Sequence, residues 1–399
     1  MIISALAQAI GVGTASIVSR RLGAKKAHDA AAAMGTAYTA VFLFTALLIA
    51  LFLLFIEPIL GFFGASEATM PYALAYSRIV APGFFFFALS MLASNLMRAE
   101  GKAKAAMTSM LLGAGMNLAL DPILIFGFGM GVEGAAIATV ASQAASCLYL
   151  LSIYVLKKNH IVITARDLGI KPALLAESAV LGIPAFLQSA GMSILALLIN
   201  TTLGRHGGDG AISTYGMMHR TLMIIIMPII GIIQGFQPIV GFNYGAKNFA
   251  RVRRVLKVTA LTAFGMSLIG YFLMMALPDT LMRLFTRDAE LIRSSARALR
   301  IAALFIPLAS LQIMGATYFQ AVGKRAQSLL LGLMRQFIIL IPVILTLPRL
   351  IGVDGVWFAF PIADLVSTCV TGVLLMRELR HLETQHGAQV ASAAPPPSV

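Results

Sequence analysis

Apolar runs without a single charge recur along the chain at one characteristic length. Eight of them, 1–19, 30–56, 79–97, 134–156, 178–204, 221–246, 258–278 and 301–323, contain no Asp, Glu, Lys or Arg. Three more are interrupted once: 105–127 by Asp121, 326–348 by Arg335 and 355–376 by Asp364. About 20 residues of helix cross the roughly 30 Å of a bilayer's hydrocarbon core. Lipid offers no partner to a backbone amide, so a spanning segment has to satisfy its own hydrogen bonds as a helix. The pattern predicts an all-α polytopic membrane protein with about eleven transmembrane helices.

Composition agrees and removes the soluble alternative. Apolar residues make up 59% of the chain, charged residues 12%, and the mean hydropathy is +0.88, whereas a soluble domain carries about 25% charged residues. The net charge of +14 invites a nucleic-acid partner until the basic residues are placed. They gather in alternate connections: Arg20 to Lys26, Arg98 to Lys104, Lys157 to Lys171, Lys247 to Lys257, then Lys324 and Arg325, with Arg377 and Arg380 after the last run. The intervening loops are poor in them, except 278–300, where Asp279, Asp288 and Glu290 partly offset the arginines. Alternation of this kind is the positive-inside signature of a chain whose partner is the lipid bilayer. It places the basic loops and the C-terminus in the cytoplasm, residue 1 outside, and leaves no role for nucleic acid. Cys147 and Cys369 both fall in apolar runs, where they are expected to pack rather than to bond or bind metal. The tail ending Ala-Ala-Pro-Pro-Pro-Ser-Val is expected to be disordered.

Self-comparison adds an internal repeat. Gly23-Ala24-Lys25-Lys26 matches Gly245-Ala246-Lys247-Asn248, and Gly101-Lys102 matches Gly323-Lys324, both at an offset of 222 (245 − 23 and 323 − 101). Gly131-Val132-Glu133-Gly134 matches Gly352-Val353-Asp354-Gly355 at 221 (352 − 131). Each pair follows an apolar run, where a glycine is expected to supply a positive φ or a tight reversal. Duplicated helical halves are a recurrent transporter plan. The same offset maps 178–204 to positions before residue 1, so the parent plan is expected to be six plus six helices with the first missing.

The motifs at these places resemble those of the multidrug and toxic compound extrusion (MATE) transporters, in particular the prokaryotic DinF-type branch, over nearly the whole chain. They are the segment Gly13 to Ala24, Asn117 with Leu120 to Gly127, Gly131 to Thr139, and Gln234 to Ala246. The resemblance implies two six-helix bundles forming a V around a central cavity, and export by alternating access driven by a proton or sodium gradient. The implied domains are an N-lobe at 1–156 (helices 2 to 6 of the family), a cytoplasmic linker at 157–174, a C-lobe at 175–377 (helices 7 to 12) and a cytoplasmic tail at 378–399. The implied setting is a monomer, multi-pass in the cytoplasmic (inner) membrane, antiporting drug-like xenobiotics with no cofactor beyond the coupling ion.

An ionisable residue inside a membrane helix is costly and marks function unless it is paired. Asp121 is thus the leading proton or cation site, and Asn117, four residues before it, shares its helix face. A helix cap ahead of Pro122 is the structural alternative. The resemblance places Asn117, Asp121 and Thr139 in the family's N-lobe cation site, together with an aspartate from the missing helix. The other large branch carries acidic residues in its seventh and tenth helices; 178–204 and 301–323 have none, which puts the coupling on the N-lobe. Arg335 and Asp364, on the last two helices, are expected to form a structural ion pair. Gln188, Gln234 and Gln312 are expected to line the substrate cavity.

Two competing functions stay open. A lipid-linked precursor flippase of the same superfamily would need cations facing a pyrophosphate, for which Arg220 and Arg335 are the candidates; a shortened product could also transport nothing. An enzyme is not expected. No HExxH, GxSxG or GxxxxGK[ST] motif occurs, and the six histidines lie in loops, at helix ends or in the tail.

Overall fold

The computed structural model describes residues 2–64, 66–156, 161, 163–164 and 166–393. The elements are α1 (Ile2–Gly23), α2 (Ala27–Leu54), α3 (Ile56–Phe62), α4 (Met70–Ala99), α5 (Ala103–Pro122), a π-helical turn at Ile123–Gly127, α6 (Gly131–Val155), α7 (Pro172–Gly245), α8 (Phe249–Ala276), α9 (Pro278–Arg283), α10 (Ala289–Ala302), α11 (Ile306–Ala321), α12 (Arg325–Leu333), a second π-helical segment at Met334–Leu340, α13 (Ile341–Thr346), α14 (Pro348–Ile351) and α15 (Asp354–Ala393). Among the described residues eight helices are long and apolar enough to span a bilayer, and α10 with α11 forms a ninth span bent by 51°. α7 is two segments broken at Gly208, whose φ of 64° and ψ of −160° no helix accommodates. Separating them and including the 22-residue α1 gives the eleven expected from the apolar runs.

The helices end where backbone geometry requires it. Gly101 and Gly323 take φ of 82° and 80°, and Gly131 and Gly352 take 53° and 64°, so the repeated glycine turns match in conformation as well as in sequence. At the first repeated turn the expectation shifts by two residues. The positive φ falls on Lys25 (60°) and Lys247 (57°), while Gly23 and Gly245 close their helices. The hydrogen bonds agree: Lys26 N–H donates to Arg21 C=O (2.8 Å) and Asn248 N–H to Asn243 C=O (2.9 Å), the six-to-one bond of a Schellman ending.

The chain divides into two compact units, Met1–Phe186 and Leu187–Val399. In the first, α4 packs against α1, α2, α5 and α6, around a core that includes Ile17, Met34, Leu92 and Leu96. Large apolar side chains on α5 and its π turn, Met110, Leu118 and Phe126, are more than three-quarters exposed, as a lipid-facing surface requires. In the second unit α11 packs against α8, α12 and α15.

The division lies later than the expected linker at 157–174, of which 157–160, 162 and 165 are outside the described residues. The first turns of α7 belong to the N-terminal unit, because glycines let two backbones meet. A Cβ on Gly13 would collide with the Ser178 carbonyl, and one on Gly182 with the Ala9 carbonyl. Thr14 Oγ1 donates to Ser178 Oγ at 3.1 Å across this contact. The connection itself docks on α2. Thr36 Oγ1 donates to the Gly169 carbonyl at 3.0 Å, and Gly35 leaves room for the Asp167 backbone. At the other end, helix continues through 378–393, where disorder was expected; the Pro-Pro-Pro segment lies outside the described residues.

Candidate functional site

In the N-terminal unit α5 and α6 pack side by side and carry the three expected coupling residues. Asn117 Nδ2 donates to Asp121 Oδ1 at 3.3 Å, one helical turn apart, and both side chains are half-buried. Thr139 is half-buried on α6, but its hydroxyl donates to the Ala135 carbonyl of its own helix at 2.9 Å. Asn117 and Asp121 are therefore joined, and Thr139 is not hydrogen-bonded to them. The helix does not stop ahead of Pro122. Proline removes one N–H donor, and the chain widens into the π turn at Ile123–Gly127, so Asp121 stands where the backbone changes its hydrogen-bond spacing. π turns of this kind are frequent at functional sites.

In the C-terminal unit Arg335 Nε donates to Asp364 Oδ1 at 2.5 Å, and Asp364 is 1% exposed. Arg335 lies in the second π-helical segment, whose extra residue per turn rotates its side chain relative to a regular helix. A cavity of about 60 Å³ adjoins the pair, with Leu222, Ile306, Ser310 and Phe360 in its wall.

The three glutamines expected to line a cavity part company. Gln188 and Gln234 are exposed. Gln312 is buried, and its Nε2 donates to the Leu331 carbonyl of α12 at 3.0 Å. Leu331 lies near the end of α12, just before the π-helical segment at Met334–Leu340. Gln312 thus ties α11 to α12. Its signal in the sequence was ambiguous, since amides both bind substrates and tie helices together.

Several polar groups escaped the sequence reading. Glu100 caps the end of α4 and accepts a hydrogen bond from Tyr154 Oη at 3.0 Å. Burial raises its carboxyl to about 7, against the pull of Tyr154 and Lys102. In the second unit Tyr318 Oη donates to Glu378 Oε1 at 3.3 Å and Lys324 Nζ lies 2.5 Å from Glu378 Oε2. Glu378 was assigned to the tail, yet it is 6% exposed. Nothing in a one-dimensional pattern separates such residues from ordinary loop charges. The Asp209, Asp288, Glu290 and Asp354 carboxylates converge with Arg297 around an open cavity of about 640 Å³. Within the arginine-rich stretch that broke the charge alternation, Arg297 is paired with Asp354 at 2.5 Å and Arg300 lies 3.9 Å from Asp279.

Comparison with known proteins gives one answer. The MatE family profile matches residues 1–123 and 184–346. The multidrug export protein MepA of Staphylococcus aureus is 28% identical over 377 residues, 94% of this chain and 82% of MepA. Among solved structures, the MATE multidrug transporter DinF-BH, in complex with a small-molecule ligand, is 38% identical with a TM-score of 0.86, covering 94% of this chain and 84% of that one. A MOP superfamily transporter from Pyrococcus furiosus, described as having a binding pocket of reverse polarity, is 26% identical with a TM-score of 0.88, covering 96% and 86%.

Proposed function

Because the chain belongs to the MatE family, the multidrug and toxic compound extrusion (MATE) transporters, we propose that it is a cation-coupled antiporter exporting amphiphilic, often cationic small molecules by alternating access. The relatives supply the substrate class: MepA is a multidrug export protein and DinF-BH is a multidrug transporter solved with a small molecule bound. In this chain the coupling reading rests on Asp121. Its hydrogen-bond partner is the neutral amide of Asn117, and it lies in the span Ala103–Gly127. A carboxylate opposite an amide keeps its charge for a proton or for a hard cation such as sodium, whereas one opposite an arginine does not. Arg335, which a flippase would need to face a pyrophosphate, already donates to Asp364. The protein acts in this reading as a monomer in the cytoplasmic membrane, with its basic turns and C-terminus in the cytoplasm.

Efflux of ethidium, a fluorescent amphiphilic cation, from cells stripped of their own exporters tests the proposal. The wild-type chain is expected to lower dye accumulation, and Asp121→Asn to slow efflux by roughly tenfold or more, the scale of one lost charge interaction. Collapsing the proton and sodium gradients separately identifies the ion. Undiminished efflux by Asp121→Asn removes Asp121 from the coupling step.

A further inference from the structure

Both units close a buried glutamate on a tyrosine beside the same repeated Gly-Lys turn, but they finish the arrangement differently. In the C-terminal unit Glu378 has both oxygens engaged, Oε1 by Tyr318 and Oε2 by Lys324. Lys324 is the repeat counterpart of Lys102 (324 − 102 = 222). In the N-terminal unit Tyr154 reaches Glu100 Oε1, while Glu100 Oε2 is buried with no hydrogen-bond partner among the described residues. Tyr38 stacks edge-on against Tyr154 with centroids 6.1 Å apart, and its hydroxyl is buried beside that of Tyr154.

Among the described residues, the other charged groups around this point are placed as follows. Arg98 on α4 donates to Asn95 Oδ1 at 2.9 Å. On α1, Arg20 and Arg21 lie 3.4 and 3.5 Å from Glu177. Lys104 on α5 is exposed. Lys102 in the turn acts on Glu100 through its charge, and Cys147 on α6 adjoins Tyr38. An ionised carboxylate oxygen buried without a hydrogen-bond donor costs far more than the neutral carboxylic acid does in the same place.

The geometry points to Glu100, held by Tyr154 beside Tyr38, as a proton-binding site of the N-terminal unit separate from Asp121. Its proton occupies Oε2 in the arrangement seen here and passes to water when the adjoining ends of α4 and α6 part. Opening then leaves the carboxylate ionised and solvated, so the charge of Glu100 follows the packing of these two helices. The site's existence stands on the geometry; its use in coupling rests on the exporter reading.

Infrared titration of the purified full chain, following the carboxylic C=O band, tests the site without any transport. Wild type is expected to show a protonated band with a midpoint near 7, diminished by one carboxyl in Glu100→Gln and undiminished in Glu378→Gln. Removing the Tyr154 hydroxyl, which favours the ionised form, is expected to shift the midpoint upward in Tyr154→Phe. A band of undiminished amplitude in Glu100→Gln, or a midpoint in the ordinary carboxylate range of about 4 to 5, overturns the site. If Glu100→Gln does not fold, an unmoved midpoint in Tyr154→Phe overturns it equally. A midpoint near 7 that Tyr154→Phe moves upward, in a chain that exports no ethidium, supports the site while ending the exporter reading.

Discussion

Buried charges are the residues on which the interior of this protein turns. Arg335 and Asp364 form a direct ion pair with the carboxylate fully buried. Removing one partner of such a pair costs about 3–5 kcal/mol, because the other charge is left uncompensated. Asp364→Asn and Arg335→Met are each expected to lower stability on that scale, and the double variant by far less than their sum, in thermal unfolding run as a double-mutant cycle. Glu100 predicts a pH dependence of known sign. Its carboxyl titrates at about 7 when folded against 4.5 when exposed, so the folded state binds the proton more tightly. Its contribution is complete below pH 4.5 and is lost as the pH rises through 7, on the order of 3 kcal/mol. Unfolding midpoints of wild type should fall across that window, and those of Glu100→Gln should not. Asp121 and Arg335 were legible as candidates because a charge inside an apolar run stands out; Glu100 and Glu378 were not, because each sits just outside the apolar run it serves.

At the scale of elements, the repeated turns are the most informative. Gly101 and Gly323 adopt a left-handed conformation with nothing within 4 Å of a Cβ built at Gly101. Gly101→Ala is therefore expected to cost about 1–2 kcal/mol from backbone conformation alone. Lys25 and Lys247 hold the same kind of conformation with a side chain attached. Lys25→Gly and Lys247→Gly are expected to gain up to about 1 kcal/mol, the relief of strain being partly offset by glycine's freedom in the unfolded chain. Thermal melts of these variants in detergent check both signs. The sequence pattern located each turn but assigned the unusual dihedral at the first to glycine, since composition reports where a helix ends and not which residue of its ending turns left-handed. The π segments were invisible for a related reason: one extra residue in a turn changes no hydrophobic period strongly enough to be read.

For the whole molecule, the repeat governs the organisation. An added 222 carries Ala27–Leu54 onto Phe249–Ala276, the observed limits of α2 and α8, and carries 103–122 onto 325–344, the stretch from α12 into α13. The halves then differ in how the corresponding helices adhere. α5 and α6 approach through small residues, with Ser109 Oγ and Ser146 Oγ each donating to the other's backbone carbonyl at 3.0 and 2.9 Å. The segment containing Arg335 meets α15 through the ion pair. Because an offset of 222 relates the turns at Lys25 and Lys247, cysteines placed there are expected to react with a membrane-impermeant thiol reagent from one and the same side. Labelling from opposite sides would contradict the two-fold repeat as a membrane topology.

The amino-acid sequence alone determined the membrane environment, the all-helical class, the number of spans, the duplication and the family, because each depends on hydropathy, charge placement or short motifs along one dimension. Tertiary structure decided which polar groups meet: Asn117 with Asp121 but not Thr139, Gln312 with a backbone carbonyl, Glu378 with Lys324, and Glu100 with Tyr154 through one oxygen only. It also joined the first turns of α7 to the N-terminal unit through Gly13 and Gly182. Those outcomes rest on distances of a few ångströms between residues up to 173 positions apart (182 − 9), and on a continuous desolvation cost that burial sets. Hydropathy counts how apolar a segment is; only packing establishes what each of its polar atoms touches.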